Sequence, residues 1–348
     1  MLRAGGDLLE TAFGPGSNCC AIATGRCTDR AATMQNGAMF TPRITWTDLP
    51  EPIRAEVEAR LGRRVTETQS QIGGFSPGVA DRLVLANGTR AFLKAVHPDL
   101  NAGSADLYRR EARVNALLPD GVPAPRLRHT FEADGWIVLL FDDISGRQPA
   151  LPWSAADFAL ALDAFDTLGR VPAGHLDLPA ASDTLDDDFA GFGRLIDDPD
   201  PGLDPWLASH LGELHARTRA AASALDGDTL CLLDGRADNL LFAHGRVWLL
   251  DWPWACLGSP WLDASALAST AIAQGATFDV TSATDDWVVA RGGTPEHVTG
   301  VLLGMLAYIA DAARRPEVPG LPTLRAFHRR SRDALIPVVR DRLEGCFA

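Results

Sequence analysis

Apolar and β-branched residues bounded by turn formers mark three short stretches near the front of the chain, around residues 65–72, 79–86 and 90–97, as strands. Asn87-Gly88 sits between the second and third runs and predicts a hairpin with a two-residue turn. Before them, Asp48 to Leu61 reads as a short helix closed by Gly62. After them, Ser104 to Leu118 reads as a helix with Leu107, Val114 and Leu118 on one stripe. Arg126 to Ala133 and Trp136 to Phe141 add two strands, and Asp142-Asp143-Ile144-Ser145-Gly146 breaks the pattern with turn formers. Beyond that break the period changes to that of helices, near 154–170, 203–224, 260–273, 294–313 and 321–344. The expected class is therefore α+β, with a small antiparallel sheet lobe ahead of a larger, mainly helical one. The boundaries fall at residues 41–141 for the first lobe, 142–153 for a hinge and 154–348 for the second lobe.

One hairpin interrupts the helical half. The apolar runs ending at Phe242 and starting at Val247 are joined by Ala243-His244-Gly245-Arg246. A fold about His244 and Gly245 brings Asn239 and Asp251 to adjacent or opposite rungs. Asp234 precedes them on a loop. Three oxygen-bearing groups around one small volume suit Mg²⁺ bound to phosphate oxygens, with a base for a hydroxyl. Any one of these Asx residues could simply end a strand. Their order is more specific: Asp-x-x-x-x-Asn, an apolar hairpin, then Asp.

A second constellation lies upstream. Ile72-Gly73-Gly74-Phe75-Ser76-Pro77-Gly78 runs into the first hairpin, and Lys94 lies inside that hairpin's second strand. Phe92, Lys94 and Val96 share one face, so an amine between apolar neighbours needs an anionic partner. Glu111, four residues after Leu107 and on the same helical stripe, can supply it. Taken singly, Lys94 could snorkel from an edge strand and Glu111 could end its stripe. The glycines are not followed by Gly-Lys-Ser/Thr, and no Gly-x-Gly-x-x-Gly opens a helix, so the two familiar phosphate loops are excluded.

With these motifs the chain resembles the aminoglycoside phosphotransferase family, which shares a protein-kinase-like fold with choline and homoserine kinases and uses ATP and Mg²⁺. The resemblance spans roughly Arg43 to Glu344. It implies that Lys94 and Glu111 clamp phosphates beneath the glycine run of Gly73, Gly74, Ser76 and Gly78. It makes Asp234 the catalytic base, and Asn239 and Asp251 the metal ligands. Phe141, Asp142 and Ile144, at the hinge, line the nucleotide base, and Asp263 braces the catalytic loop. The family's His-Gly-Asp triplet is Leu232-Leu233-Asp234 here, so a supporting histidine is missing. That departure opens a rival reading, a nucleotide-binding pseudokinase of weak or no activity. A protein kinase proper is disfavoured, because only 12 positions separate Asp251 from Asp263 and no Ala-Pro-Glu element lies between them.

Composition narrows the class further. The 348 residues are 46% hydrophobic, enough for two cores. Six cysteines without a C-x-x-C pair or zinc-like spacing point to a reduced cytosolic protein. No apolar run approaches a membrane span, so a cytoplasmic location is expected. The net charge is −13. Nine aspartates between residues 177 and 204 face only Arg194, an excess that disfavours nucleic acid and attracts a cationic small molecule, or forms a solvated loop. The expected partner is thus a small hydroxyl-bearing acceptor of positive charge. Residues 1–40 show no sustained period and are expected to be a disordered extension, with Met34 or Met39 as the true start. His215, and the group Trp252, Trp254 and Trp261, read as core rather than chemistry.

Overall fold

The computed structural model describes residues 41–71 and 73–344. The expectations for residues 1–40 lie outside the described residues.

A 3-10 turn at Trp46–Asp48 precedes helix α1, Glu51–Leu61, which ends on Gly62 at φ 70°. The helix starts later than expected because Pro50, held in extended backbone, forms its N-cap. Five strands follow: β1 Val65–Ser70, β2 Val79–Leu85, β3 Arg90–Val96, β4 Leu127–Ala133 and β5 Trp136–Asp142. They form one antiparallel sheet in the order β1-β2-β3-β5-β4, and helix α2, Ala102–Leu117, crosses between β3 and β4. Successive positions of β3 and β5 point to two cores on opposite faces of the sheet. Leu93, Ala95, Val138 and Leu140 join Ile53 and Val57 of α1, whereas Val96, Ile137, Leu139 and Phe141 join Ala105 and Tyr108 of α2. Truncating a buried leucine such as Leu93 to alanine in such a core costs about 2–5 kcal/mol.

The β2–β3 turn corrects the sequence reading. Leu85 donates its N–H to Thr89, leaving Ala86, Asn87 and Gly88 in a three-residue loop in place of the two-residue turn. Only Gly88 is left-handed there, at φ 81°, and Asn87 stays on the ordinary side while its Oδ1 accepts the Thr89 N–H. Local side-chain bonding by Asn87 therefore selected the longer turn.

The second lobe holds α3 Ala155–Gly169, α4 Ala181–Phe189, α5 Gly191–Asp197, α6 Pro205–Ala222, α7 Leu262–Ala273, α8 Val280–Val289, α9 Pro295–Arg314 and α10 Leu324–Glu344. Short strands β6 Thr229–Cys231 and β9 Cys256–Gly258 pair with each other, and β7 Leu240–Ala243 pairs with β8 Arg246–Leu249. The last hairpin folds about His244 and Gly245, at φ 55° and 74°, as read from the sequence. Helix α9 is buried almost throughout and forms the centre of the lobe. Gly304 lets it approach α4, since a Cβ there would meet the Phe189 ring at 2.1 Å.

The acidic stretch is not a loop. Leu185, Phe189, Phe192 and Leu195 are buried at helical spacing, so residues that looked like a solvated run fold as α4 and α5 with most acids outward. Asp186 pairs with Arg219, Asp187 with Arg194 and Asp198 with Arg314. Among the described residues, no helix is long and apolar enough to cross a membrane.

Candidate active site

The site forms where the sheet meets the hairpin β7–β8. Lys94 occupies the middle of β3, and the two-residue period turns it toward α2 with Val96. Its Nζ donates to Glu111 Oε2 at 2.5 Å and to Asp251 Oδ1 at 2.8 Å, with the Tyr108 ring centroid 4.9 Å away. Burial acts to lower the Lys94 ammonium, but the Asp251 and Glu111 carboxylates outweigh it and hold it above its ordinary value. Glu111 is 2% exposed; burial pushes it up to about 7 against the pull of Lys94. For Asp251 burial is also the largest influence, yet the Lys94 charge and hydrogen bond win and its carboxyl stays low.

Asp234 follows β6 in a tight loop. Two backbone N–H groups, of Leu232 and Leu233, donate to the Asp263 carboxylate at 2.9 and 2.8 Å, and Thr270 Oγ1 donates to the Gly235 carbonyl. Asp263 thus braces the loop from the start of α7. Leu232, where the resemblance implies a histidine, is fully buried in the core. Leu233 adopts φ 64°, a left-handed conformation costly to a residue with a Cβ. Asn239 ends a 3-10 turn and donates its amide to Asp234 Oδ2 at 2.7 Å. Burial raises the Asp234 carboxyl to about 8, with Arg236 opposing and Asp251 reinforcing.

Asn239 and Asp251 are linked through the hairpin, since Leu250 donates its N–H to the Asn239 carbonyl. Both line the same cleft as Lys94 and Glu111. Their side chains offer hard oxygen donors, and among the described residues no cluster of three or more His, Cys, Asp or Glu could hold a metal alone. A two-oxygen contribution fits Mg²⁺, which takes its remaining ligands from water and phosphate.

The glycine run divides. Gly73 and Gly74 line the cleft. Ser76 instead bonds Tyr108 Oη and the Gly78 N–H, and Gly78 lies against β3, where a Cβ would meet the Ala95 carbonyl at 2.4 Å. Phe141, Asp142 and Ile144 all line the cleft at the hinge.

Several residues there went unread in the sequence. Arg43 donates to the Gly73 carbonyl from Nε at 3.0 Å and to the Gly78 carbonyl at 3.4 Å, lacing the glycine run from below. Arg82 and Arg90 hold the buried Asp143 of the hinge, and Arg82 also donates to the Ile144 carbonyl. Arg236 is 2% exposed, pairs with Asp238 at 2.8 Å and lies 3.7 Å from Asp234 Oδ1. A buried arginine two residues after the loop aspartate could have drawn notice, because a buried guanidinium requires acids around it. The arginines that reach from other strands leave no local signal.

A five-stranded antiparallel lobe with a Lys–Glu pair, joined to a helical lobe carrying the Asp–Asn–Asp set, is the protein-kinase-like fold of small-molecule phosphotransferases. Residues 72–293, more than half of the chain, match the model of the phosphotransferase enzyme family, and the chain belongs to that family. Among solved structures it is similar to a choline/ethanolamine kinase family protein from Mesorhizobium loti, at 18% identity and a TM-score of 0.54, covering 84% of this chain and 94% of that one. It is also similar to the ternary complex of APH(2″)-IIa with streptomycin and ATP, at 13% identity and a TM-score of 0.51, covering 83% and 97%. No curated protein matches the chain.

Proposed function

We propose that the protein transfers the γ-phosphoryl group of ATP, with Mg²⁺, to a hydroxyl of a small cationic molecule. The observation that carries this reading is the convergence of Lys94, Glu111, Asn239 and Asp251 on one cleft beside Asp234. Lys94, oriented by Glu111, would grip the phosphates. Asn239 and Asp251 would hold Mg²⁺, which when bound neutralises phosphate charge. Asp234, fixed by the Asn239 amide and the Asp263 brace, would orient the acceptor hydroxyl and take its proton. Arg236 would offset negative charge building beside Asp234. Phe141 to Ile144, anchored through Asp143, would receive the adenine edge.

The pseudokinase reading rests on the absent histidine, but Asp263 holds the loop backbone through two N–H groups without it. The deciding experiment is incubation with Mg-ATP and a panel of aminoglycosides, amino alcohols and hydroxy amino acids, read by mass. The expected result is an acceptor that gains one phosphoryl group. Nucleotide binding without any phosphorylated product would favour the pseudokinase.

A further inference from the structure

Arg43 precedes residues 72–293, the part of the chain that matches the family, so the match itself places no cation at this position. The fold nevertheless sets it in the wall of the cleft with Gly73, Gly74, Lys94 and Asp251. Its backbone is pinned on the C-terminal side. Ile44 donates its N–H to the Pro77 carbonyl at 3.1 Å, and Trp46 donates its N–H to the buried Asp81 carboxylate at 2.8 Å. Trp46 joins Ile53 and Val79 in the core behind the sheet, and Ile44 packs against that core.

The guanidinium is only partly used. Arginine carries five N–H donors in a planar fork. Three are engaged here: Nε and Nη2 donate to the Gly73 carbonyl at 3.0 and 2.5 Å, and Nη1 donates to the Gly78 carbonyl at 3.4 Å. One N–H on each terminal nitrogen is left over. Nη2 lies against Gly74, where a Cβ would come within 2.8 Å of it, so the missing side chain of Gly74 gives the guanidinium its place. The three bonds all end on neutral carbonyls, and among the described residues no carboxylate pairs with Arg43 directly. Burial raises the Asp251 carboxyl, whereas the charges of Lys94, Arg236 and Arg43 lower it, which puts Arg43 toward the Asp251 end of the cleft.

A guanidinium bonded only to neutral groups keeps its full charge for an anion, and its two remaining donors have the spacing that meets two oxygens of one phosphate. We propose that Arg43 is a phosphate-binding residue of the cleft, donating to the phosphate chain of the nucleotide while it holds the carbonyls of Gly73 and Gly78. The inference rests on the nucleotide reading for the owner of the phosphate and not for phosphate binding itself. Glycine run and phosphate chain then share one cation. Adenosine, which has no phosphate, gains nothing from it.

The test is saturable thermal stabilisation of the full chain by Mg-ATP, adenosine and inorganic tripolyphosphate, for wild type, Arg43→Met and Arg43→Lys. Arg43→Met should weaken ATP and tripolyphosphate about 10- to 100-fold and leave adenosine unchanged, the loss expected for a charged hydrogen bond. Arg43→Lys keeps the charge without the fork and should recover part of the loss. Equal weakening of adenosine and ATP would reduce Arg43 to a support of the glycine run and overturn the proposal, and so would an unchanged ATP affinity in Arg43→Met. Should Arg43→Met fail to fold, Arg43→Lys decides: a larger loss for ATP than for adenosine sustains the assignment, and equal affinities or equal losses overturn it. Tripolyphosphate bound through Arg43 without any binding of ATP would sink the nucleotide reading and leave the phosphate site standing. ATP bound equally by wild type and Arg43→Met would do the reverse, and a wild type that binds neither overturns both.

Discussion

Lys94 and Asp251 stand 157 residues apart in the chain and 2.8 Å apart in space, so a hydrogen bond ties the sheet lobe to the helical lobe on the wall of the cleft. Glu111 holds the same ammonium from the other side. The amine is therefore fixed in direction by two carboxylates.

Replacing Lys94 by methionine keeps the stem and removes the charge, leaving the buried Glu111 and the half-buried Asp251 without their shared cation. Breaking such a pair costs about 3–5 kcal/mol of stability at most, less here because Asp251 is one-third exposed. Activity should fall by about 10²–10³ through lost phosphate stabilisation. Urea denaturation and steady-state kinetics give the two numbers; a variant with wild-type turnover would remove Lys94 from the site.

Asp234→Asn preserves shape and removes the carboxylate proposed as the base. Turnover should drop by about 10²–10⁴ with the KM for ATP nearly unchanged. A large rise in that KM with turnover preserved would assign the residue to nucleotide binding instead.

The same residue gives a pH dependence of stability. Its folded carboxyl lies at about 8 against an ordinary 3.8, so the folded state binds the proton more tightly than the unfolded chain does. Ionisation then opposes folding, and the penalty grows as pH rises from near 4 through about 8. Asp234→Asn lacks this penalty. Its stability relative to wild type should rise between about pH 5 and about pH 8 in urea melts, and a constant difference would refute the shift.

Asp263→Asn leaves one acceptor oxygen for two donors, so either Leu232 or Leu233 loses its partner. A buried orphan N–H costs about 1–3 kcal/mol. The loop that carries Asp234 loosens with it, and turnover should fall while the KM for ATP stays. Unchanged stability would mean the brace is idle.

Leu233 offers a test of backbone strain. Alanine and glycine both remove its buried side chain, but only glycine is at ease at φ 64°. Leu233→Gly should equal Leu233→Ala in stability or exceed it by about 1 kcal/mol, the reverse of the usual order in helices and strands. Thermal denaturation of the pair settles it.

What could be read in the residues was local or periodic. Alternation sorted Lys94 onto a face with Phe92 and Val96; helical spacing placed Glu111 on the stripe of Leu107; a Gly-containing turn predicted the β7–β8 hairpin that links Asn239 to Asp251. The order Asp234, Asn239, Asp251 carried the family. Other features were decided only in three dimensions, because they rest on contacts between distant segments. Arg82 and Arg90 reach Asp143 across the sheet; Arg43 laces the glycine run from before β1. Asp263 meets Leu232 and Leu233 only when α7 packs under the loop. Asp188 looked like one acid among nine, and folding alone buried it beside Asp234, because Leu185, Phe189, Phe192 and Leu195 turned that face of α4 and α5 toward α9. Periodicity is a property of neighbours along the chain, whereas burial of a single carboxylate depends on which helix lies across from it.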